Sequence, residues 1–205
     1  MAKILSVVKR TVNTALVRYE GGSMELPLQT VRLEGLRAGE EVDSSRLEMI
    51  KSSSRGSLAM AKAAGYVSSR AMSKKELEQK LLRMGETQQN ARDAADRMEE
   101  LGAIDEEDYA LSIVRSYSAR GYGPGRVKEE LHRRGIPRDL WDSCLESLPD
   151  TGELVDRYLR KHLADATDSK QVKKAADALY RRGFSWEDIR SGLTRAAEDV
   201  FWEDE

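Results

Sequence analysis

The sequence predicts a mainly α-helical protein. We expect three tandem three-helix repeats forming an elongated curved array, with a small antiparallel β element at the N-terminal end. Three observations predict it. A Leu-x-x-x-Gly motif recurs at Leu81, Leu131 and Leu179, at spacings of 50 and 48 residues. The apolar pattern turns from strand-like to helical after residue 43. Of 205 residues, 40% are apolar, 34% are charged and only 2 are Phe, so each element carries a thin apolar stripe. That composition argues against a heavily apolar parallel sheet.

The elements follow in order. Residues 4–8 and 13–19 are rich in Val, Leu and Thr, and Gly21-Gly22 precedes the alternating run Met24-Glu25-Leu26-Pro27-Leu28. β-prone runs joined by a Gly pair read as a hairpin. Residues 31–33 and Glu41-Val42 are read as short added strands, with Gly39 in a turn. So small a sheet buries little surface by itself and is expected to pack on a neighbour. Ser45-x-x-Glu48 has capping-box spacing and opens a short helix over 46–51, with a break at 52–56. Leu58, Ala61, Gly65 and Tyr66 are placed on one face of the next helix, which ends near Arg70.

One turn before each motif Leu stands Leu77, Val127 or Ala175. Each motif Gly suits the C′ position, where φ is usually positive. Ser73-x-x-Glu76 caps the first of these helices, Pro124 after Gly123 opens the second, and Asp168 or Ser169 caps the third. A further helix follows each motif. The first carries Ala91, Ala94, Ala95, Met98 and Leu101; the second carries Leu140, Trp141, Cys144 and Leu148. The third carries Ile189, Leu193, Ala197 and Val200 behind Ser185-x-x-Asp188. Another helix precedes each motif, over 57–70, 106–120 and 152–164. The expected organisation is a β segment with a short linker helix at 1–50, then repeats at 51–104, 105–150 and 151–205. A single unit buries little, and stacking completes its core.

The stretch Ile104-Asp105-Glu106-Glu107-Asp108-Tyr109-Ala110 leads to Arg115, then Arg120-Gly121-Tyr122-Gly123-Pro124, and ends in Leu131-His132-Arg133-Arg134-Gly135-Ile136. With Ser73-x-x-Glu76-Leu77-x-x-Lys80-Leu81-x-x-x-Gly85, it resembles the RecX family of bacterial regulators. The family pattern is an acidic cap, an aromatic-Ala pair, Arg-x-x-x-x-Arg-Gly-x-Gly, and a helix ending Leu-x-x-x-Gly-Ile. The third repeat departs from it: Ala175 replaces a larger apolar residue, and no Gly-x-Gly precedes its motif. The resemblance implies a non-enzymatic regulator of the RecA recombinase, with a part in recombination, DNA repair and the SOS response. Such proteins bind the RecA filament on single-stranded DNA, lower its ATPase and strand exchange, and favour filament loss. Several weak contacts from a repeat array add through effective concentration.

The total charge is balanced, 34 Lys+Arg against 36 Asp+Glu, but its distribution is not. Across 109–138 seven basic residues face two acidic ones, a local net of +5. Across 86–108 the net is −7, and across 170–182 it is +4. The C-terminal tail, Glu198-Asp199 and Glu203-Asp204-Glu205, is acidic. The basic segments predict a ridge facing acidic RecA surface or DNA phosphate. Its candidate residues are Arg115, Arg120, Tyr122, Arg126, Lys128, Arg133 and Arg134, then Lys173, Lys174, Arg181 and Arg182. The competing reading is a solvated face with internal pairs, such as Glu129 with Arg133. Tyr66, Tyr117 and Tyr158 occupy similar places in the three first helices. Core or groove packing is the favoured reading, and base stacking the other. Tyr122, in the glycine loop, is expected to be the more exposed ring.

Other chemistry finds little support. Gly121-x-Gly123-x-Gly125 lacks a preceding strand and a Walker Lys, so a tight interhelical turn explains it. His132 and His162 stand alone, so no metal site and no cofactor are expected. Cys144, the single cysteine, reads as a buried structural thiol and suits a reducing cytoplasm. Residues 105–108 place acid at a helix start. No apolar run approaches the length of a membrane span. We therefore expect a cytoplasmic monomer. Two other functions stay open: a direct DNA-binding helical protein, and a helical-repeat scaffold for another partner. The β segment serves as a repeat cap, a RecA-binding element or a solubility aid, with capping the favoured reading.

Overall fold

The computed structural model describes residues 1–203, and the side chains of residues 1–198. Val200 and the acidic tail from Asp199 onward therefore lie outside the described side chains. The chain divides into two compact units, Met1–Asp105 and Glu106–Glu205.

In the first unit, strands β1 (Ala2–Lys9), β2 (Thr14–Tyr19) and β3 (Gly22–Pro27) run antiparallel, and the short β4 (Glu41–Val42) pairs with β1. The sheet order is β3-β2-β1-β4. The β2–β3 turn uses Gly21 at φ +101°. Register slips between Ile4 and Ser6, a bulge that leaves the intervening Leu5 exposed. Residues 31–33 are not a strand. They complete helix α1 (Leu28–Leu33), which follows Pro27 and buries Val31 against the sheet while Leu33 faces solvent. A three-residue apolar run fits either period, and packing over the sheet decides it.

Helix α2 (Ser44–Ser53) adds Leu47 and Ile50 to the same core as Ile4, Val17 and Leu26. Ser45 does not form the expected capping box. Asp43 takes the cap position, and the Ser45 hydroxyl donates to its carboxylate at 2.5 Å. That bond holds the Asp43 carboxyl below its usual range. The expected break at 52–56 shrinks to Ser54, which keeps helical dihedrals before α3 (Arg55–Val67). The buried face of α3 is Ala59, Lys62 and Ala63, one residue round from the stripe expected at Leu58, Ala61 and Gly65. A lysine on the inner face hid it. Lys62 reaches Glu86 at 2.8 Å and Glu25 of β3 at 3.5 Å, and Asn13 donates to the Ala61 carbonyl. These polar contacts fasten the sheet to α3, so the sheet has a neighbour to pack on, as expected.

Helices α4 (Lys74–Arg83) and α5 (Gln88–Glu100) complete the first repeat around Leu77, Leu81, Ala91, Ala94, Ala95 and Met98. Leu101, expected on that face, is exposed. The Ser73 capping box forms, with Glu76 N–H donating to the Ser73 hydroxyl at 3.1 Å.

The second unit holds α6 (Glu106–Ala119), α7 (Pro124–Arg134), a 3₁₀ turn (Arg138–Leu140) with α8 (Trp141–Leu145), then α9 (Thr151–His162), α10 (Ser169–Arg181) and α11 (Trp186–Glu203). One cluster gathers Val114, Val127, Leu131 and Cys144, and a second gathers Val155, Leu159, Leu179 and Ile189. Burial pushes the Cys144 thiol up. Asp168 is the cap of α10, accepting from Lys170 N–H, and Ser185 accepts from Asp188 N–H before α11.

The Leu-x-x-x-Gly motif is one piece of backbone made three times. Gly85, Gly135 and Gly183 have φ of +86°, +73° and +87°. Each donates to the residue three back, and the next residue (Glu86, Ile136 or Phe184) donates to the motif leucine carbonyl at 3.0–3.3 Å. This is the Schellman ending, and only glycine enters its left-handed C′ position without strain. The three leucines are fully buried.

Candidate partner-binding surface

Eight of the eleven predicted contact residues are exposed: Arg115, Arg120, Arg126, Lys128, Arg133, Lys173, Lys174 and Arg181. Tyr122, Arg134 and Arg182 are half-buried. Tyr122 is thus less exposed than expected. It packs 5.3 Å from Tyr117, with the guanidinium groups of Arg120 and Arg182 at 5.1 and 5.6 Å from its ring. Arg120 also lies over Tyr117, and Arg182 over Tyr158. Four predicted residues, Arg120, Tyr122, Arg126 and Arg182, are so brought together where α6 and α7 meet the end of α10. Cations over aromatic faces keep their charge while fixing their direction. The Tyr residues of the three first helices pack as favoured, each half-buried against its own core. Tyr66 additionally carries Lys80 at 4.0 Å.

The glycine loop does more than turn the chain. Gly121 ends α6 at φ +73°. Gly123 and Gly125 face the third repeat, where a Cβ on either would meet the Gly183 carbonyl oxygen at 2.8–2.9 Å. Their N–H groups donate instead to the carbonyls of Arg182 and Gly183, at 2.8 and 2.9 Å. The Arg182 side chain closes the seam by donating to the carbonyls of Arg120 and Gly121. The Gly-x-Gly spacing therefore brings two backbones into contact, and it fixes the cations of the second repeat relative to those of the third.

Charge pairing differs from the sequence expectation. Glu129 pairs with Arg126, not with Arg133. The buried partner is Glu130, held by Arg133 at 2.5 Å and Arg134 at 2.7 Å. Burial pushes the Glu130 carboxyl up, but the hydrogen bonds from Arg133 and Arg134 outweigh it and hold it at about 2. Arg134 also donates to the Tyr109 hydroxyl. Arg134 and Arg182 are thus engaged inside the fold, whereas Arg115 pairs with the exposed Asp108 at 3.7 Å. The acidic stretch is likewise partly internal: Glu86 pairs with Lys62, and Asp96 and Glu99 with Lys74.

Lys62 escaped the sequence reading, and so did the ring contact of His162. A lysine between alanines on a helix looks like surface. Its signal was the pair of acidic residues, Glu25 and Glu86, at distant positions. His162 packs on Tyr158 with ring centres 4.4 Å apart and the planes tilted by 38°, a contact visible only as an i,i+4 spacing. Among the described residues no cluster of His, Cys, Asp or Glu could hold a metal ion, and no helix is long and apolar enough to cross a membrane.

Residues 105–145 match the family model for the second three-helix domain of RecX, and residues 153–193 match that for the third. A protein named Regulatory protein RecX from Xanthomonas axonopodis pv. citri is 33% identical over 141 residues, covering 67% of this chain and 87% of that protein. A namesake from Halorhodospira halophila is 32% identical over 129 residues, covering 62% of this chain and 80% of that protein. Two solved structures share the fold. One, described as a regulatory protein RecX, has a TM-score of 0.62 at 18% identity over 94% of this chain and 98% of its own. A RecX from Lactobacillus salivarius has a TM-score of 0.60 at 22% identity, over 69% of this chain and 96% of its own. With its second and third helical units matched and a third of the aligned residues identical along most of a relative's length, this chain belongs to the RecX family of regulatory proteins.

Proposed function

We propose that this protein binds the RecA filament on single-stranded DNA, lowers its ATP hydrolysis and strand exchange, and favours filament loss. It acts as a cytoplasmic, non-enzymatic monomer, with 1–50 as a cap and 51–104, 105–150 and 151–205 as successive repeats. The observation that carries the reading, beside family membership, is the recurrence of exposed cations. Arg126 and Arg133 on α7 stand where Lys174 and Arg181 stand on α10, 48 residues later. A surface that repeats its charge suits a partner that repeats its subunits, because each weak contact raises the effective concentration for the next.

The test is RecA ATP hydrolysis on single-stranded DNA with the protein titrated in below stoichiometry. Falling hydrolysis with loss of filaments by electron microscopy is expected, and unchanged hydrolysis overturns the reading. Charge reversal at Arg120, Arg126 and Arg133, and separately at Lys173, Lys174 and Arg181, assigns the surface. Normal inhibition by both variants sinks that assignment.

A further inference from the structure

A cleft of about 510 Å³ lies between α9 and α10. One face of α10 supplies Gln171, Lys174, Ala178 and Arg181, and the end of α9 supplies Tyr158 and His162. Among the described residues no acidic one lines it. The ion pairs of the described residues include none to Lys174 or Arg181.

The second repeat shows what is missing. Its counterpart of Ala178 is Glu130, one residue before the motif leucine in each case. Glu130 is a buried carboxylate clamped by Arg133 and Arg134. Their counterparts in the third repeat are Arg181 and Arg182. The third repeat thus keeps both cations and replaces the anion by a methyl group. Arg182 finds carbonyls of the second repeat, and Arg181 is left on the cleft. Ala175, standing where the other repeats have Leu77 and Val127, also lines it.

We propose that this cleft binds one nucleotide unit of single-stranded nucleic acid, with Lys174 and Arg181 on the phosphate and His162 against the base. The proposal deepens the filament reading by naming a strand contact, and it rests on that reading for its setting. A phosphate takes the charge position that Glu130 fills internally one repeat earlier. A carboxylate of an acidic protein would satisfy the cations equally, but the aromatic wall favours a nucleotide. Tyr158 already contacts Arg182 and His162, and His162 is the more exposed ring of that tilted pair. Base stacking on an exposed ring beside basic side chains is how single strands are held without sequence preference. The volume falls in the range of a small-ligand site.

Fluorescence anisotropy of a labelled oligothymidylate of about 15 nucleotides, with the full chain, tests it. Wild type is expected to bind with an affinity that falls with salt. The double variant K174A/R181A is expected to weaken binding by about tenfold or more. Its slope of log affinity against log salt becomes shallower by about 0.7 for each lost phosphate contact. Ala178→Glu restores the second repeat's carboxylate and is expected to weaken binding comparably, and His162→Ala by about fivefold. K174A/R181A changes only exposed side chains, so its thermal unfolding by circular dichroism should match wild type, and it carries the test if Ala178→Glu fails to fold. No binding by wild type overturns the proposal, as does wild-type affinity and salt slope in the double variant. RecA ATPase is followed in parallel. Normal ATPase inhibition beside unchanged oligonucleotide binding in the double variant overturns the cleft and leaves the filament reading standing. Lost inhibition with unchanged oligonucleotide binding gives the cations to an acidic protein partner and also overturns the cleft.

Discussion

Glu130 and Ala178 hold the same place in successive repeats, and the difference between them sets what the neighbouring arginines do. In the second repeat the carboxylate pairs with two of the basic residues that composition alone would assign to a partner, drawing Arg134 into the fold while Arg133 stays exposed. Its carboxyl sits at about 2 against an ordinary 4.5, so folding favours its charged form. The stabilisation is fully present above pH 4.5 and is lost as pH falls from there through 2. Glu130→Gln is therefore expected to cost about 1.5–3 kcal/mol near neutral pH, the range for hydrogen bonds to charged groups. The gap between wild type and variant should close as the medium is acidified below pH 4.5. Urea unfolding at a series of pH values measures both, and a gap that stays constant down to pH 2.5 would show the network to be without weight.

At the scale of elements, the Schellman endings were legible because a glycine at a fixed distance from a buried leucine is a local signal. The same glycine acquires different neighbours in different repeats, and that was not legible. Around Gly85 a Cβ would meet nothing within 4 Å, while at Gly183 it would collide with the backbone of Arg126. Gly85→Ala is expected to cost about 1–2 kcal/mol, for the left-handed backbone alone. Gly183→Ala should cost about 1–3 kcal/mol more, because the seam between α7 and the end of α10 must open. Equal losses in chemical unfolding would mean that the seam contributes nothing. The misread elements share one cause. Residues 31–33 look like a strand, and the inner face of α3 looks displaced by a residue. In each the deciding partner lies far away in the chain: the sheet over Val31, and Glu25 and Glu86 around Lys62. Short-range periodicity carries no information about such partners, so packing overrides it.

For the whole molecule, a net charge of −2 conceals segments of −7 and +5 next to each other in the chain. The segregation was plain in the sequence, but the division of labour within it was not. Several acidic groups serve internal pairs, to Lys62 and Lys74, and Arg134 and Arg182 tie the second unit together. What remains exposed is a set of cations on α6, α7 and α10. Exposed charges of this kind accelerate encounter more than they strengthen the final complex, because they act at a distance and stay hydrated at the rim. Neutralising Arg120, Lys128, Lys173 and Arg181 together is thus expected to lower the association rate with RecA filaments about tenfold at low salt. The dissociation rate should change little, and the difference from wild type should shrink as salt approaches 1 M, where screening reaches about 3 Å. Surface-immobilised filaments and a flow of protein at several salt concentrations separate the two rates. A faster dissociation with unchanged association would place these cations in the desolvated centre of the contact, and the steering argument would fail.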